Sequence, residues 1–206
     1  DAAGCAEALW PLRTVLEEEL EKNGMAKLYR EIELPLCAVL YHMECRGIAI
    51  DRQQLEQFGQ MLAQRIDDCE KLIHSYAGGP FNINSPKQLG VLLFETLGLP
   101  HGKKTKTGYS TNVEVLEKPR DNHPIIPAIM DYRMLTKLKS TYAEGLVKAA
   151  DGEGRIHTVF NQTGTATGRL SSAEPNLQNI PIRTELGREL RKYFLPRENY
   201  LLVDAD

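Results

Sequence analysis

Along most of this chain apolar residues recur at intervals of three and four, the period of a helix with one buried face. Leu9, Leu12, Leu16 and Leu20 begin the pattern, with acidic residues between them. Asn23-Gly24 ends it, because glycine is favoured just past a helix C-terminus. Leu36, Leu40 and Met43 make a second stripe, closed by Arg46-Gly47, and Ile48-Ala49-Ile50 reads as a short extended link. The longest stripe comes after Asp51, a candidate N-cap whose carboxylate can accept from free backbone N–H groups. It runs through Leu55, Phe58, Leu62, Ile66, Cys69, Ile73 and Tyr76, and Gly78-Gly79-Pro80 stops it. A stripe of that length predicts a partner helix to bury it.

Two shorter helix starts come next. Ser85-Pro86-Lys87-Gln88 has a capping hydroxyl, a proline suited to the first helical position and a glutamine placed to close a capping box, which predicts a helix to about Leu97. The stretch GLPHGKKTKTGYST is an exposed loop with Lys103, Lys104 and Lys106, and Thr111-Asn112-Val113-Glu114 is a second capping box. After Pro127 a long helix carries Ile129, Tyr132, Leu135, Leu138, Tyr142 and Leu146 on its apolar side. Its polar side carries Arg133, Lys137, Ser140, Thr141 and Lys148. The two long helices, 51–76 and 125–150, are expected to pack antiparallel as an arm about 35–40 Å long, with the small helices at the connecting tip.

From Gly152 the pattern changes. Arg155 to Phe160 alternates and is β-branched, as a strand does; 161–183 is rich in Thr, Gly, Ser, Asn, Gln and Pro without a helical period. Leu186 to Phe194 reads as a short basic helix, and Tyr200 to Ala205 as a second strand. The expected fold is mainly α with a small α+β C-terminal part.

The 206 residues suffice for a substantial core, since a chain of this size hides about 70% of its unfolded surface. No apolar run approaches the roughly 18–20 residues that cross a bilayer, and DAAGCAEALWPL has no signal-peptide pattern. Cys5, Cys37, Cys45 and Cys69 form no CxxC pair and read as reduced thiols buried as small apolar groups. Residues 1–78 hold 8 Lys and Arg against 14 Asp and Glu, whereas 79–206 hold 17 against 14, so the second part is mildly basic and suited to an anionic partner.

The candidate chemistry lies in Thr165-Ala166-Thr167-Gly168-Arg169-Leu170-Ser171-Ser172 and in Pro175-Asn176-Leu177-Gln178-Asn179-Ile180-Pro181. Small hydroxyl residues and glycine let a backbone approach another molecule closely. Arg169, Asn176, Gln178 and Asn179 offer donors and acceptors suited to the acceptors of a minor groove. The same composition also fits a polar loop whose amides bond to its own backbone. The glycines make no Walker A loop, because no Gly-Lys-Ser/Thr comes after them.

FNQTGTATGRLSSAEPNLQNIPIRTELGRELRKYF closely resembles the start of the polymerase domain of family A DNA polymerases, the bacterial DNA polymerase I group. YHMECRGIAID, FNINSPKQLGVLLFETLGLP, KKTKTGYSTNVEVLEK and YRMLTKLKSTY resemble successive stretches of the same proteins, in the same order. The resemblance implies three parts: 1–35 as the end of a 3′–5′ exonuclease-like domain, 36–151 as the thumb, and 152–206 as the start of the palm. It implies that Arg133, Lys137, Ser140 and Thr141 face the DNA backbone, with Lys103, Lys104 and Lys106 near the thumb tip. Arg169 matches the arginine that reaches the minor groove at the primer end, and Asn176, Gln178 and Asn179 match neighbouring duplex contacts. Arg183 matches an arginine near the triphosphate of the incoming dNTP. Asp206 matches the catalytic, Mg²⁺-binding Asp of an Asp-Tyr-Ser motif. Asp204 stands where the family usually has a small residue and receives no role, and Asp1 stays unassigned.

The activity that the resemblance implies is that of a DNA-directed DNA polymerase, which adds dNTPs to a primer 3′ end with two Mg²⁺ ions. One carboxylate is not enough for such a site, so this chain is expected to be a fragment that holds primer–template duplex without polymerising. It is further expected to be monomeric, cytoplasmic and off the membrane. Residues 161–183 are expected to lack a fixed arrangement without their partners. Two readings of other classes stand beside this one: a stand-alone duplex-binding module, and a helical interaction scaffold.

Overall fold

In the computed structural model the described residues are 2–100, 108–182 and 184–203. Helix α1 (Ala2–Lys22) is followed by α2 (Ala26–Leu28), which runs through a π-type turn, Tyr29–Glu33, into α3 (Leu34–Arg46). Strand β1 (Ile48–Ile50) leads into α4 (Arg52–Ala77). The Asp51 carboxylate accepts from the Gln54 N–H at 2.9 Å and caps α4, and Gly78, at φ +76°, ends it in the left-handed region that favours glycine. Next come α5 (Pro86–Val91) with a π-type turn at Leu92–Thr96, α6 (Val113–Glu117) and α7 (Ile125–Lys137). A third π-type turn, Leu138–Glu144, carries α7 into α8 (Gly145–Ala149). The chain ends through β2 (Arg155–Ile156), β3 (Val159–Asn161), β4 (Ser171–Ala173), α9 (Glu185–Arg191) and β5 (Phe194–Leu195). The molecule is mainly α with a small β part, as its periodicity predicts.

The chain divides into two compact units, Asp1–Ile48 with Arg155–Asn179, and Ala49–Gly154 with Ile180–Asp206. In the second unit the long stripe of α4 finds its partner. Leu55, Leu62 and Ile73 are fully buried and Phe58 nearly so, as are Ile125, Ile126 and Ile129 of α7. Arg52 donates to the carbonyls of Ala150 (3.3 Å) and Asp151 (3.2 Å), which brings the start of α4 to the end of α8. Ile73 shares a cluster with Ile125 and Ile126, so the end of α4 meets the start of α7 and the helices run antiparallel. Leu89, Leu93, Phe94 and Leu116 from the small helices close that same cluster at the tip. Strands β1 and β5 pair antiparallel, with Ala49 opposite Leu195 and Ile50 opposite Phe194. In α9, Gly187 lies so near Pro181 that an added Cβ would stand 2.6 Å from its carbonyl oxygen, a fit only glycine allows.

The first unit is built differently. Leu9, Leu12 and Leu16 of α1 stay 47–60% exposed, and Trp10 is 73% exposed, so the α1 stripe is helical without being buried. Strand β3 meets α3 through the Phe160 N–H, which donates to the Glu44 carboxylate at 2.6 Å, and just past β3 Gln162 donates to the carbonyl of Glu33, the residue before α3, at 3.0 Å. Arg155 donates to the carbonyls of Arg46 (2.7 Å) and Gly47 (2.8 Å), closing the C-terminal end of α3.

Several local expectations are corrected. The strand at 155–160 is broken at His157-Thr158, where the buried Thr158 hydroxyl lies 3.0 Å from the Ala173 carbonyl and 2.8 Å from that of Pro175. The region 161–183 holds a regular piece, β4, paired with β3. The basic helix stops at Arg191, and Phe194 opens a strand. Tyr200 to Val203 forms no strand: Leu201 and Val203 are 86% exposed and pair with no described strand. Cys37 and Cys45 are exposed rather than buried, since much of the α3 surface is open. Among the described residues no helix is long and apolar enough to cross a membrane.

The packing of α4 on α7 yields a direct check. Leu62→Ala is expected to destabilise the chain by about 2–5 kcal/mol in chemical denaturation, whereas Leu72→Ala, 44% exposed on the same helix, should stay within about 0.5 kcal/mol of the unsubstituted chain.

Candidate nucleic-acid interface

In the second unit the site begins at Arg133 on α7. The residue is half-buried, and burial holds its pKa below the usual guanidinium value. Its Nη1 donates to the Thr111 carbonyl and its Nη2 to the Thr111 hydroxyl, the latter at 3.1 Å. Lys137, one helical turn on, is exposed, as are Ser140 and Thr141. The Ser140 hydroxyl donates back to the Thr136 carbonyl at 2.9 Å. Both Ser140 and Thr141 lie in the π-type turn Leu138–Glu144, whose i→i+5 bonds widen the helix. Both remain on the exposed side with Lys137, while Leu138, Tyr142 and Ala143 between and beside them are buried.

Thr111 is the residue that sequence reading misplaced. The helix start it was expected to cap is capped by Asn112, whose Oδ1 accepts from the Val115 N–H at 3.0 Å. Gln88 departs likewise: its side chain accepts from the Asn82 N–H at 2.9 Å, while Ser85 Oγ accepts from the Gln88 N–H at 3.4 Å. Two adjacent residues of capping type are the signal that could have exposed Thr111, because a helix start uses only one of them.

In the first unit the polar segment is a hairpin. Strands β3 and β4 pair antiparallel, with Asn161 opposite Ser171 and Phe160 opposite Ser172. Ser172 is 3% exposed; its hydroxyl meets the Thr158 hydroxyl at 2.6 Å and accepts from the Leu177 N–H at 3.0 Å. Gln178 bonds within the loop. Its Oε1 accepts from the Ser172 N–H at 3.1 Å, and its Nε2 donates to the Leu170 carbonyl at 3.1 Å. The Asn176 Oδ1 accepts from the Gln178 N–H at 3.0 Å. Thr165 donates to the Arg169 carbonyl at 2.7 Å and so fixes the turn that presents Arg169. The Arg169 side chain is exposed and bonds to no described residue, and Asn179 is exposed. The self-bonded loop and the outward-facing arginine are thus two parts of one arrangement.

Lys103, Lys104, Lys106, Arg183, Asp204 and Asp206 lie outside the described residues. Among the described residues no three His, Cys, Asp or Glu side chains gather where they could hold a metal ion. What the described residues present is exposed cations and hydroxyls on a hydrogen-bonded backbone.

The hairpin makes its own test. Ser172→Ala leaves buried partners unsatisfied and is expected to cost about 1–3 kcal/mol in thermal or chemical unfolding, while Arg169→Ala should change stability by less than about 0.5 kcal/mol.

Comparison with known proteins identifies the setting. The model of DNA polymerase family A matches residues 52–206. DNA polymerase I of Bacillus subtilis (strain 168) is 51% identical over 203 residues, covering 98% of this chain and 23% of the relative. DNA polymerase I of Geobacillus stearothermophilus shows the same 51% identity over 203 residues with the same shares. The chain thus spans 23% of the length of these curated relatives. Among solved structures, the POL domain of Pol1 from M. smegmatis, in complex with DNA primer-template and dNTP, matches with a TM-score of 0.84 at 45% identity, over 90% of this chain and 33% of its own. With the family match running from the start of α4 onward and half of all residues shared with these relatives, the chain belongs to DNA polymerase family A.

Proposed function

We propose that the protein represented by this chain extends a primer on a DNA template with dNTPs, in replication and repair, and that this chain's share is to hold the primer–template duplex. The observation that carries the reading is the 0.84 TM-score match, at 45% identity, to a polymerase domain in complex with primer-template and dNTP. In this reading residues 1–35 close an exonuclease-like domain, 36–151 form the thumb and 152–206 begin the palm.

The chain's own residues act by binding. Lys137, with Arg133 and the hydroxyls of Ser140 and Thr141, meets phosphates without reading sequence, as an enzyme that copies any template requires. Lys103, Lys104 and Lys106 add to the same electrostatic attraction. Arg169 enters the minor groove, where acceptors sit at similar positions in every base pair, and Asn176 and Asn179 make neighbouring contacts. Gln178, exposed beside them, makes a further contact of the same kind while its side chain also bonds to Leu170 and Ser172. Arg183 meets the triphosphate of the incoming dNTP. Asp206 is the catalytic carboxylate and Mg²⁺ ligand of the reading. A two-ion site needs more than one carboxylate. In this reading the chain's share is to hold duplex, as a monomer in the cytoplasm, without itself catalysing addition.

Two measurements test this. Lys137→Ala is expected to weaken duplex binding at 50 mM salt and to lower the slope of log K against log salt by roughly 0.9, the share of one phosphate contact; an unchanged slope contradicts the assignment. Primer extension by the 206-residue chain should not exceed a no-enzyme control, and incorporation above it would refute the division of labour.

A further inference from the structure

Thr111 is 6% exposed, flanked by the partly exposed Ser110 and the exposed Asn112. From a distance of 22 positions along the chain, this one residue gives two acceptors to the two terminal nitrogens of the Arg133 guanidinium. A guanidinium carries five N–H donors in one plane. Thr111 takes one from each terminal nitrogen. The Nε–H and the second N–H of each terminal nitrogen bond to no described residue, and the side chain stays partly open to solvent. Thr111 is itself held from behind, because Asn112 anchors the first turn of α6 through the Val115 N–H at 3.0 Å.

We propose that Thr111 is a positioning residue for a DNA phosphate: it fixes the plane of the Arg133 guanidinium so that the remaining donors face a backbone oxygen. The inference rests on the duplex-holding reading above. An unrestrained arginine loses rotamer freedom when it binds, and much of that loss here occurs on folding, before DNA arrives. Both of the acceptors lie on one buried residue, so the constraint is on direction as well as position. Lysine at 133 would keep the charge but could not span carbonyl and hydroxyl in the same plane.

The test is fluorescence anisotropy of a labelled primer–template duplex titrated with this chain over a salt series. Arg133→Ala is expected to weaken binding and to lower the salt slope by roughly 0.9. Thr111→Val, which removes the hydroxyl and keeps the shape, should weaken binding about 3–10-fold, in line with one hydrogen bond, and Thr111→Ser should restore it to within about twofold. The double variant Thr111→Val with Arg133→Ala should bind like Arg133→Ala alone. If Arg133→Ala binds like the unsubstituted chain, the duplex reading of this face fails. If Arg133→Ala weakens binding while Thr111→Val does not, or if Thr111→Ser fails to rescue, or if the two losses add, the positioning role is overturned and the duplex reading stands. Should Thr111→Val melt below the assay temperature, Arg133→Lys carries the test: weakened binding is expected, and unchanged affinity overturns the proposal.

Discussion

The seam between α4 and the α7–α8 segment is the interaction on which the second unit depends. Leu55, Leu62 and Ile73 from one side and Ile125, Ile126 and Ile129 from the other are fully shielded from water, each contributing about 1.5–3 kcal/mol of transfer free energy. Arg52 ties the open end of this pair by donating to the carbonyls of Ala150 and Asp151, and the small helices plug the other end with Leu89, Leu93 and Leu116. Because the buried side of α7 is fixed, its other residues are fixed too. Lys137 is exposed and Arg133 is half-open on a helix that cannot rotate without opening the core. The α1 helix shows what the same periodicity does without a seam: Leu9, Leu12 and Leu16 remain about half-exposed.

The features legible in the sequence were local or strongly periodic. The Asp51 and Ser85 caps use acceptors three residues from their donors, and the glycine after α4 acts within one turn. The pairing of the two long stripes came from the need to bury them. The features that stayed hidden depend on partners far along the chain. Thr111 and Asn112 carry side chains of the same capping chemistry, and only Arg133, 22 positions away, decides which one caps α6. The break at His157-Thr158 falls where the Thr158 side chain meets carbonyls 15 and 17 residues later. A strand at Tyr200–Val203 needs a neighbouring strand, and alternation alone cannot supply one. The π-type turn at Leu138–Glu144 leaves the apolar spacing nearly intact, so it too escapes a periodicity argument.

The polar segment from Thr165 to Asn179 posed a choice between a loop that satisfies itself and one that contacts a duplex. Its geometry divides the work between residues. Ser172, Gln178 and Thr158 satisfy the backbone and make a stiff hairpin. Arg169 stands outside that network, held at its own carbonyl by Thr165. The same division recurs at Arg133, where part of the guanidinium is bound inward and part is left open. At Arg133 the inward bonds fix the guanidinium itself, whereas at Arg169 they fix only the backbone that carries it.

The central claim is that this chain holds duplex DNA with α7 and the hairpin. Amide hydrogen exchange, compared with and without a primer–template duplex, addresses it most directly. The expected result is slowed exchange around Thr111–Val115, Lys137–Tyr142 and Leu170–Gln178, with no change across Leu9–Leu20. Slowing confined to α1–α3, with the α7 and hairpin segments unchanged, would contradict the account.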